Sequence, residues 1–207
     1  SAQADGNLRH ALMEFYLNTI ASQDHTLDGK QMKAMAKGEN WDKLYQFLES
    51  KNGPQCPLGN FSQLDCRKKL KKLRKTVNFL SKYLRQFGGI KHIVAELSLN
   101  TGSAIQISDS VEIKNGEVDA VFVLENVNGG ITVVVIDWKR SLSNKRSLEQ
   151  YKRQCQVYIR CIQEKPSLVN QSIGQMKSAD IRGCLIEIGG DEGTIPDLVN
   201  VDNNPAK

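Results

Sequence analysis

Apolar residues recur at three- and four-residue steps along one stretch of the chain and predict its longest helix. The stretch begins at Ser62-Gln63-Leu64-Asp65, which has the form of a helix capping box, and ends at Gly88-Gly89. Shorter apolar stripes over residues 8–21 and 41–48 predict two more helices. Because turn residues at 52–60 separate these from the long helix, residues 1–60 are expected to form a helical lobe.

From residue 90 the pattern changes to that of β-strands. Segments rich in β-branched residues lie at 90–99, 104–113, 118–124 and 131–138, and the Asn-Val-Asn-Gly-Gly sequence at 126–130 predicts a hairpin. A helix over 148–163 and a strand over 181–188 follow. This order predicts an α/β fold with a central mixed β-sheet flanked by helices. We assign the core to residues 61–190 and a flexible polar tail to residues 191–207.

The bulk properties narrow the class of protein. The 207 residues carry a formal net charge of +5, which weakly favours an anionic partner. With no apolar run long enough for a bilayer and no signal-type segment, we expect no membrane partner and an intracellular location, cytoplasmic or nuclear, or inside a host cell for a delivered effector. The five cysteines are widely spaced, which indicates reduced thiols rather than an iron–sulfur cluster.

Three acidic residues and one lysine are candidates for a phosphodiester-cleaving site, which needs converging carboxylates and a nearby cation. Asp137 and Lys139 end an apolar strand two residues apart and therefore share a face. Asp119 lies on the preceding strand, and a hairpin would pair that strand with the one that carries Asp137 and Lys139. Glu96 stands inside an apolar segment, where a carboxylate is costly without a partner. Taken singly, each is also explained as a strand end entering solvent or an edge-strand acid.

Basic residues form two groups that could contact phosphates. The first lies opposite the apolar stripe of the long helix and comprises Lys68, Lys69, Lys71, Lys72 and Lys75. The second lies at and before the following helix and comprises Lys145, Arg146, Lys152 and Arg153. The alternative for both groups is an ordinary solvated helix surface.

Three short motifs in order resemble those of a known nuclease family. Gly116-x-x-Asp119, Asp137-x-Lys139 and Gln154-x-x-x-Tyr158 resemble the GxxD, (D/E)xK and QxxxY motifs of PD-(D/E)XK nucleases, in their RecB-like and lambda-exonuclease-like branch. The resemblance covers roughly residues 62–190. It implies a restriction-endonuclease-like core. This chain departs from the pattern in having Asp rather than Glu before the lysine, and no proline before Asp119.

The resemblance also implies a role for each matching residue. Asp119, Asp137 and the backbone carbonyl of Trp138 would bind Mg²⁺ or Mn²⁺. Lys139 would orient the attacking water or offset charge. Gln154 and Tyr158 would position the lysine and the substrate. Glu96 matches an upstream acidic position that some members use and others replace by histidine, and His92, which shares its face by even spacing, is the alternative ligand.

We therefore expect a metal-dependent nuclease acting on DNA rather than RNA, as one domain of a larger protein. The pattern is equally compatible with exonuclease and endonuclease activity, and with single- and double-stranded substrates. One alternative is an inactive nuclease-like fold that binds nucleic acid or protein. A second is an interaction lobe of a larger protein whose strand-end charges have no catalytic role.

Overall fold

Helices occupy the N-terminal part of the chain and strands most of the rest. The computed structural model describes residues 1–52, 61–100, 105–108, 111–113, 116–169, 179–190 and 195–202. The helices are α1 (Ala2–Ala21), α2 (Gly29–Met32), α3 (Gly38–Ser50), α4 (Gln63–Leu84) and α5 (Lys145–Glu164). The strands are β1 (Gly89–Ser98), β2 (Ile105–Ser108), β3 (Val111–Ile113), β4 (Glu117–Glu125), β5 (Ile131–Lys139), β6 (Asp180–Glu187) and β7 (Leu198–Val201).

Five of the strands form one mixed sheet in the order β1-β4-β5-β6-β7. β5 and β6 are parallel because α5 carries the chain back between them, and the other neighbours are antiparallel. Helices cover the sheet, so the predicted α/β fold with a central mixed sheet flanked by helices is confirmed. In the described part of the chain, no helix combines the length and apolar character needed to cross a bilayer.

The central strands are buried on both faces and separate two hydrophobic cores. The first core joins α1 and α4 to alternate residues of the sheet, such as Phe122, Ile136 and Trp138. The second core joins α5 to the residues between them, such as Val121 and Val135. This burial explains why β5 is a nearly continuous run of β-branched residues rather than an alternating one.

Helix α1 is part of the first core and does not stand apart from the sheet. Leu8, Leu12 and Tyr16 are buried in the same cluster as the sheet residues. Arg9 is also buried, and its Nη1 donates to the carbonyl of Ile188 at 2.8 Å, just beyond β6. Residues 1–50 are thus mostly helical, as the sequence predicts, and α1 brings its side chains to the sheet.

The predicted turns and caps agree with the structure in three places. The Ser62 side chain accepts a hydrogen bond from the Asp65 N–H and the Asp65 side chain accepts one from the Ser62 N–H, which is the predicted capping box. After α4 the chain turns at Gly88, where φ is +118° and a Cβ would overlap the Glu125 carbonyl. The predicted 126–130 hairpin joins β4 to β5.

Two predicted segments differ from the structure. Residues 104–113 were expected to form one strand of the sheet, but β2 and β3 pair with each other in a separate two-stranded sheet. The predicted polar tail contains β7, which pairs with β6 from Gly183/Val201 to Ile186/Leu198. Four residues carry too little periodicity to predict a strand, and its edge position comes from pairing with β6.

Candidate metal centre and active site

The two predicted aspartates meet where β4 and β5 stop pairing. Their ladder runs from Glu125/Ile131 to Ala120/Ile136, so Asp119 and Asp137 come directly after its last pair. The Asp119 Oδ2 instead accepts a hydrogen bond from the Trp138 N–H at 2.7 Å, and the side chains of the two aspartates are in hydrogen-bonding contact. A hydrogen bond to a charged group contributes about 1.5–3 kcal/mol, which fixes Asp119 against β5.

Glu96 lies beside this pair because β1 changes its conformation there. Its φ is +52°, a left-handed value that is unfavourable for a residue with a side chain. In a regular strand Ala95 and Leu97 would share a face. Here Ala95 packs against the first core and Leu97 against the second, so the alternation is broken at Glu96.

The neighbouring strand shows the same break. Val118 packs in the second core and Ala120 in the first, on either side of Asp119. Both strands therefore depart from regular alternation at the residue that carries a candidate ligand. At Glu96 the backbone is also left-handed, and strain of that kind persists where surrounding structure holds it and concentrates at functional sites.

A histidine that the sequence analysis did not single out completes this cluster. His10 of α1, Glu96 and Asp119 each offer a ligand atom, and these three atoms lie within 4.8 Å of one another. The Nδ1 of His10 is 3.5 Å from the Oδ1 of Asp119. The sequence offers only one signal for it, the pair His10 and Glu14, which lie four residues apart and therefore share a face of α1.

His92, the predicted alternative to Glu96, is not in this group. It lies two residues before Val94, which packs against the second core, and it pairs with Val123 in the β1–β4 ladder. The even-spacing argument that joined His92 to Glu96 assumes a regular strand. The left-handed backbone at Glu96 removes that assumption, and His10 is the imidazole beside the acids.

Asp137 lies against Asp119 and against the predicted catalytic lysine. Its carboxylate is buried, with Oδ2 3.2 Å from the Nζ of Lys139. That contact lacks hydrogen-bond geometry, and Oδ2 has no hydrogen bond to any described residue. A buried carboxylate oxygen without a hydrogen bond is costly and is suited to a cation.

The pKa values of the acids reflect crowded negative charge. Burial, contact with Glu117 and the charge of Asp119 raise the pKa of Glu96 to about 10. Burial and the neighbouring Asp119 raise the pKa of Asp137 to about 7. Burial opposes ionisation of Asp119 as well, but hydrogen bonds from His10, Asp137 and the Trp138 N–H lower its pKa. Asp119 is thus the member of the group whose charged form is favoured, whereas ionisation of Glu96 and Asp137 is opposed.

This donor set fits a divalent cation. Several carboxylates lie close together in one partly buried site, and a cation bound there would relieve the repulsion that raises the pKa values of Glu96 and Asp137. Carboxylate oxygens suit Mg²⁺ and Mn²⁺, and the imidazole of His10 is accepted by Mn²⁺. The Trp138 backbone lies at the same point through its N–H, and ligation by its carbonyl stays a prediction.

The predicted residues of α5 surround Lys139. The Nζ of Lys139 lies 3.1 Å from the Oε1 of Gln154 and 4.3 Å from the centroid of the Tyr151 ring. The Nε2 of Gln154 donates to the Tyr158 hydroxyl at 2.8 Å. Gln154 and Tyr158 therefore lie where the sequence places them, beside the lysine, and Tyr151 adds a cation–π contact.

The predicted phosphate-binding residues divide by their burial. Lys68 and Lys71 are exposed on α4, and Lys75 is half-buried. Lys69 is paired with Asp5, and Lys72 is buried, so the prediction that Lys72 faces a phosphate backbone is wrong. Lys145, Arg146 and Arg153 are exposed on α5, whereas Lys152 lies 3.5 Å from Glu149.

The chain was also compared with known proteins. No family model matches it, and no curated protein matches it.

Proposed function

We propose that this protein is a metal-dependent nuclease that hydrolyses phosphodiester bonds in DNA. The observation that carries the proposal is the group of His10, Glu96 and Asp119 at the end of the β4–β5 ladder, with Asp137 lying between Asp119 and Lys139. Carboxylates that can bind a metal ion thus lie next to the ammonium group of a lysine, and phosphodiester hydrolysis requires this combination.

Asp119, Glu96 and His10 would hold a Mg²⁺ or Mn²⁺ ion together with Asp137. A divalent ion bound there would polarise the phosphate ester and offset its negative charge. Asp119 supplies the charged oxygens, since its pKa is lowered, and Asp137 supplies the buried Oδ2 that has no hydrogen bond among the described residues.

Lys139 would act on the substrate. Hydrolysis adds water across one P–O bond, so the hydroxyl ends on phosphorus and a proton ends on the departing sugar oxygen. Gln154 and Tyr151 hold the ammonium beside Asp137, where it can offset charge that develops on the phosphate or orient the water. The Tyr158 hydroxyl accepts a hydrogen bond from the Gln154 amide, so Tyr158 fixes the glutamine that holds the lysine.

Two further features support a nuclease within a cell. Exposed cations flank α4 and α5, where they could attract a polyanion. All four described cysteines, Cys66, Cys155, Cys161 and Cys184, are free and buried, which is typical of proteins kept in a reducing compartment. Cys56 lies outside the described residues.

A substrate panel tests the proposal. Linear duplex DNA, circular single-stranded DNA and RNA are each incubated with Mg²⁺, with Mn²⁺ and with a chelator. We expect metal-dependent cleavage of at least one DNA substrate, and none with the chelator. Cleavage of the circular strand would indicate an endonuclease. A wild-type protein that binds DNA but cuts none of the panel in either metal would favour the inactive, binding-only alternative.

A further inference from the structure

Besides the exposed cations of α4 and α5 already described, a cluster of basic residues lies between the N-terminal half of α4 and the turn after α2. We call it the basic pocket. It is a concavity of about 260 Å³ lined by Lys33, Lys37, Arg67, Leu70 and Lys71. Four of these five residues carry a positive charge, and none is acidic. None of them belongs to the metal-ligand cluster or to the lysine environment of α5.

Two hydrogen bonds hold the two walls of the pocket together. The Ala36 carbonyl accepts one from the Nε2 of Gln63 at 2.8 Å and another from the Nε of Arg67 at 3.2 Å. Both donors belong to α4, and the acceptor directly precedes Lys37. Two side chains of α4 therefore hold the backbone of the turn that bears Lys33 and Lys37, and this brings the four cations together.

The described residues do not neutralise the charges of the pocket. Among the described residues, no acidic side chain forms an ion pair with Lys33, Lys37, Arg67 or Lys71. Lys69 on the same helix shows the contrast, because it is paired with Asp5. Like charges brought into one concavity repel each other, and an anion bound between them removes that repulsion.

Arg67 adds a specific geometry. Its bond to Ala36 uses Nε, so the two terminal nitrogens of the guanidinium can serve a second partner. Those nitrogens bind phosphate oxygens in pairs, and lysine ammonium groups bind phosphate as point charges. One arginine held in place and three lysines around it match a phosphate group better than a planar carboxylate, because the lysines approach from several directions.

We propose that the basic pocket binds a phosphate group of a nucleic-acid strand, away from the reacting centre. The charges and contacts of the pocket do not depend on the proposed nuclease function. Only the identity of the polyanion rests on it. The pocket would hold a segment of the strand on the helical face of the protein, by contacts to the backbone that are independent of base sequence.

The test compares two variants with the same loss of charge. The pocket variant is Lys33→Gln/Lys37→Gln/Lys71→Gln, and the control is Lys43→Gln/Lys82→Gln/Lys91→Gln, in which all three lysines are exposed and outside the pocket. Arg67 is kept because it also holds the turn. Binding of a fluorescent oligonucleotide is measured in chelator over a range of salt concentrations, so that cleavage plays no part.

We expect the pocket variant to make the slope of log affinity against log salt shallower by about 0.7–0.9, the amount that one lost phosphate contact removes. The control should change the slope by less than about 0.3. Equal changes in the two variants, or a wild type that binds no oligonucleotide at low salt, would overturn the proposal. Circular dichroism melting confirms that both variants are folded.

Two outcomes distinguish a failure of the basic pocket from a failure of the nuclease function. If lysine-dependent binding is found but the wild type cuts no substrate with Mg²⁺ or Mn²⁺, the nuclease function fails and the pocket stands. If DNA is cut and both variants bind alike, the pocket fails and the nuclease stands. Calorimetric titration with inorganic phosphate tests whether the pocket binds a free anion instead. If the wild type binds phosphate saturably and the pocket variant does not, while oligonucleotide binding does not depend on these lysines, a nucleic-acid strand is not the ligand.

Discussion

The Oε1 of Gln154 lies 3.1 Å from the Nζ of Lys139 and accepts a hydrogen bond from it. The same amide donates to the Tyr158 hydroxyl, so the glutamine links the lysine to a rigid helix. A group that fixes a reacting side chain contributes to turnover without touching the metal ligands. In the proposed nuclease this makes Gln154 and Tyr158 positioning residues.

Replacing Gln154 should therefore slow catalysis without unfolding the protein. We expect Gln154→Ala to lower the turnover number by about 10- to 100-fold, the effect of losing a positioned catalytic group. Tyr158→Phe should have a smaller effect, because it keeps the ring and loses only the hydroxyl. The control is Gln163→Ala on an exposed position of α5. Unchanged activity per folded molecule in Gln154→Ala, together with a lowered melting temperature, would assign Gln154 to the core.

Lys139→Ala should separate catalysis from metal binding. The lysine contacts Asp137 and α5 but supplies no metal ligand. We expect turnover to fall by at least about 100-fold, a typical loss for a group that transfers or offsets charge in the transition state. Calorimetric Mn²⁺ affinity should not fall by more than about threefold, because the lysine supplies no ligand atom and its loss removes a positive charge that repels the ion. A parallel loss of both would make Lys139 a part of the site's architecture.

His10 should matter to the metal centre although it lies far from the other candidates in sequence. We expect His10→Ala to weaken Mn²⁺ binding by at least about tenfold, the lower bound for residues that support a metal site. His92→Ala is the matched control, because His92 is the other histidine near β1 and lies outside the ligand group. If the two variants bind Mn²⁺ equally well, His10 is not a ligand.

Substitutions of Glu96 should separate the effect of its backbone conformation on stability from the effect of its carboxylate on metal binding. Its left-handed backbone is tolerated by glycine but not by alanine. In chelator we expect Glu96→Gly to be more stable to unfolding than Glu96→Ala by about 1 kcal/mol, the cost of a left-handed residue with a Cβ. Both variants should bind Mn²⁺ weakly, because both lack the carboxylate. Chemical denaturation measures the difference, and a more stable alanine variant would show that the strain is absent.

Asp5 gives a pH dependence whose sign follows from its contacts. Burial raises its pKa, but Lys69, Arg140 and Arg9 outweigh burial and lower it from 3.8 to about 2. A folded pKa below the unfolded one stabilises the protein above the unfolded value, and this contribution disappears as the pH falls through the folded value. The stability difference between the wild type and Asp5→Asn should therefore shrink between about pH 4 and pH 2.

Chemical denaturation at several pH values measures this difference. Asp24→Asn is the control, because Asp24 is exposed and forms no salt bridge with the described residues. If the difference between the wild type and Asp5→Asn does not change over that range, the three cations do not stabilise the charged form of Asp5.

The parts of the fold that the sequence predicts are those with local causes. β5 follows from a run of β-branched residues, and α4 follows from its capping box and apolar stripe. Asp119, Asp137 and Lys139 come together because a hairpin joins their strands. Gln154 contacts Lys139, and Tyr158 contacts Gln154, because the two residues share one face of the next helix.

The parts that the sequence does not predict depend on tertiary packing. His10 reaches Asp119 only because α1 packs on the sheet, and no spacing rule joins these residues. The left-handed backbone at Glu96 has no signature in residue type, since glutamate does not favour it. Lys72 was assigned to the solvated face because of its charge, yet it lies on the side of α4 that the rest of the protein covers.

Cleavage of linear duplex DNA by the wild type and by Asp119→Asn, each with Mn²⁺ and with chelator, measures whether hydrolysis depends on a metal ion held by Asp119. Asparagine keeps the size of the side chain and an oxygen that can accept the Trp138 N–H, so the fold should persist. We expect the wild type to cut only with Mn²⁺, and Asp119→Asn to be slower by at least about 100-fold, because it lacks the charged ligand. Cleavage in chelator, or a variant within tenfold of the wild type, would contradict a metal-dependent nuclease centred on Asp119.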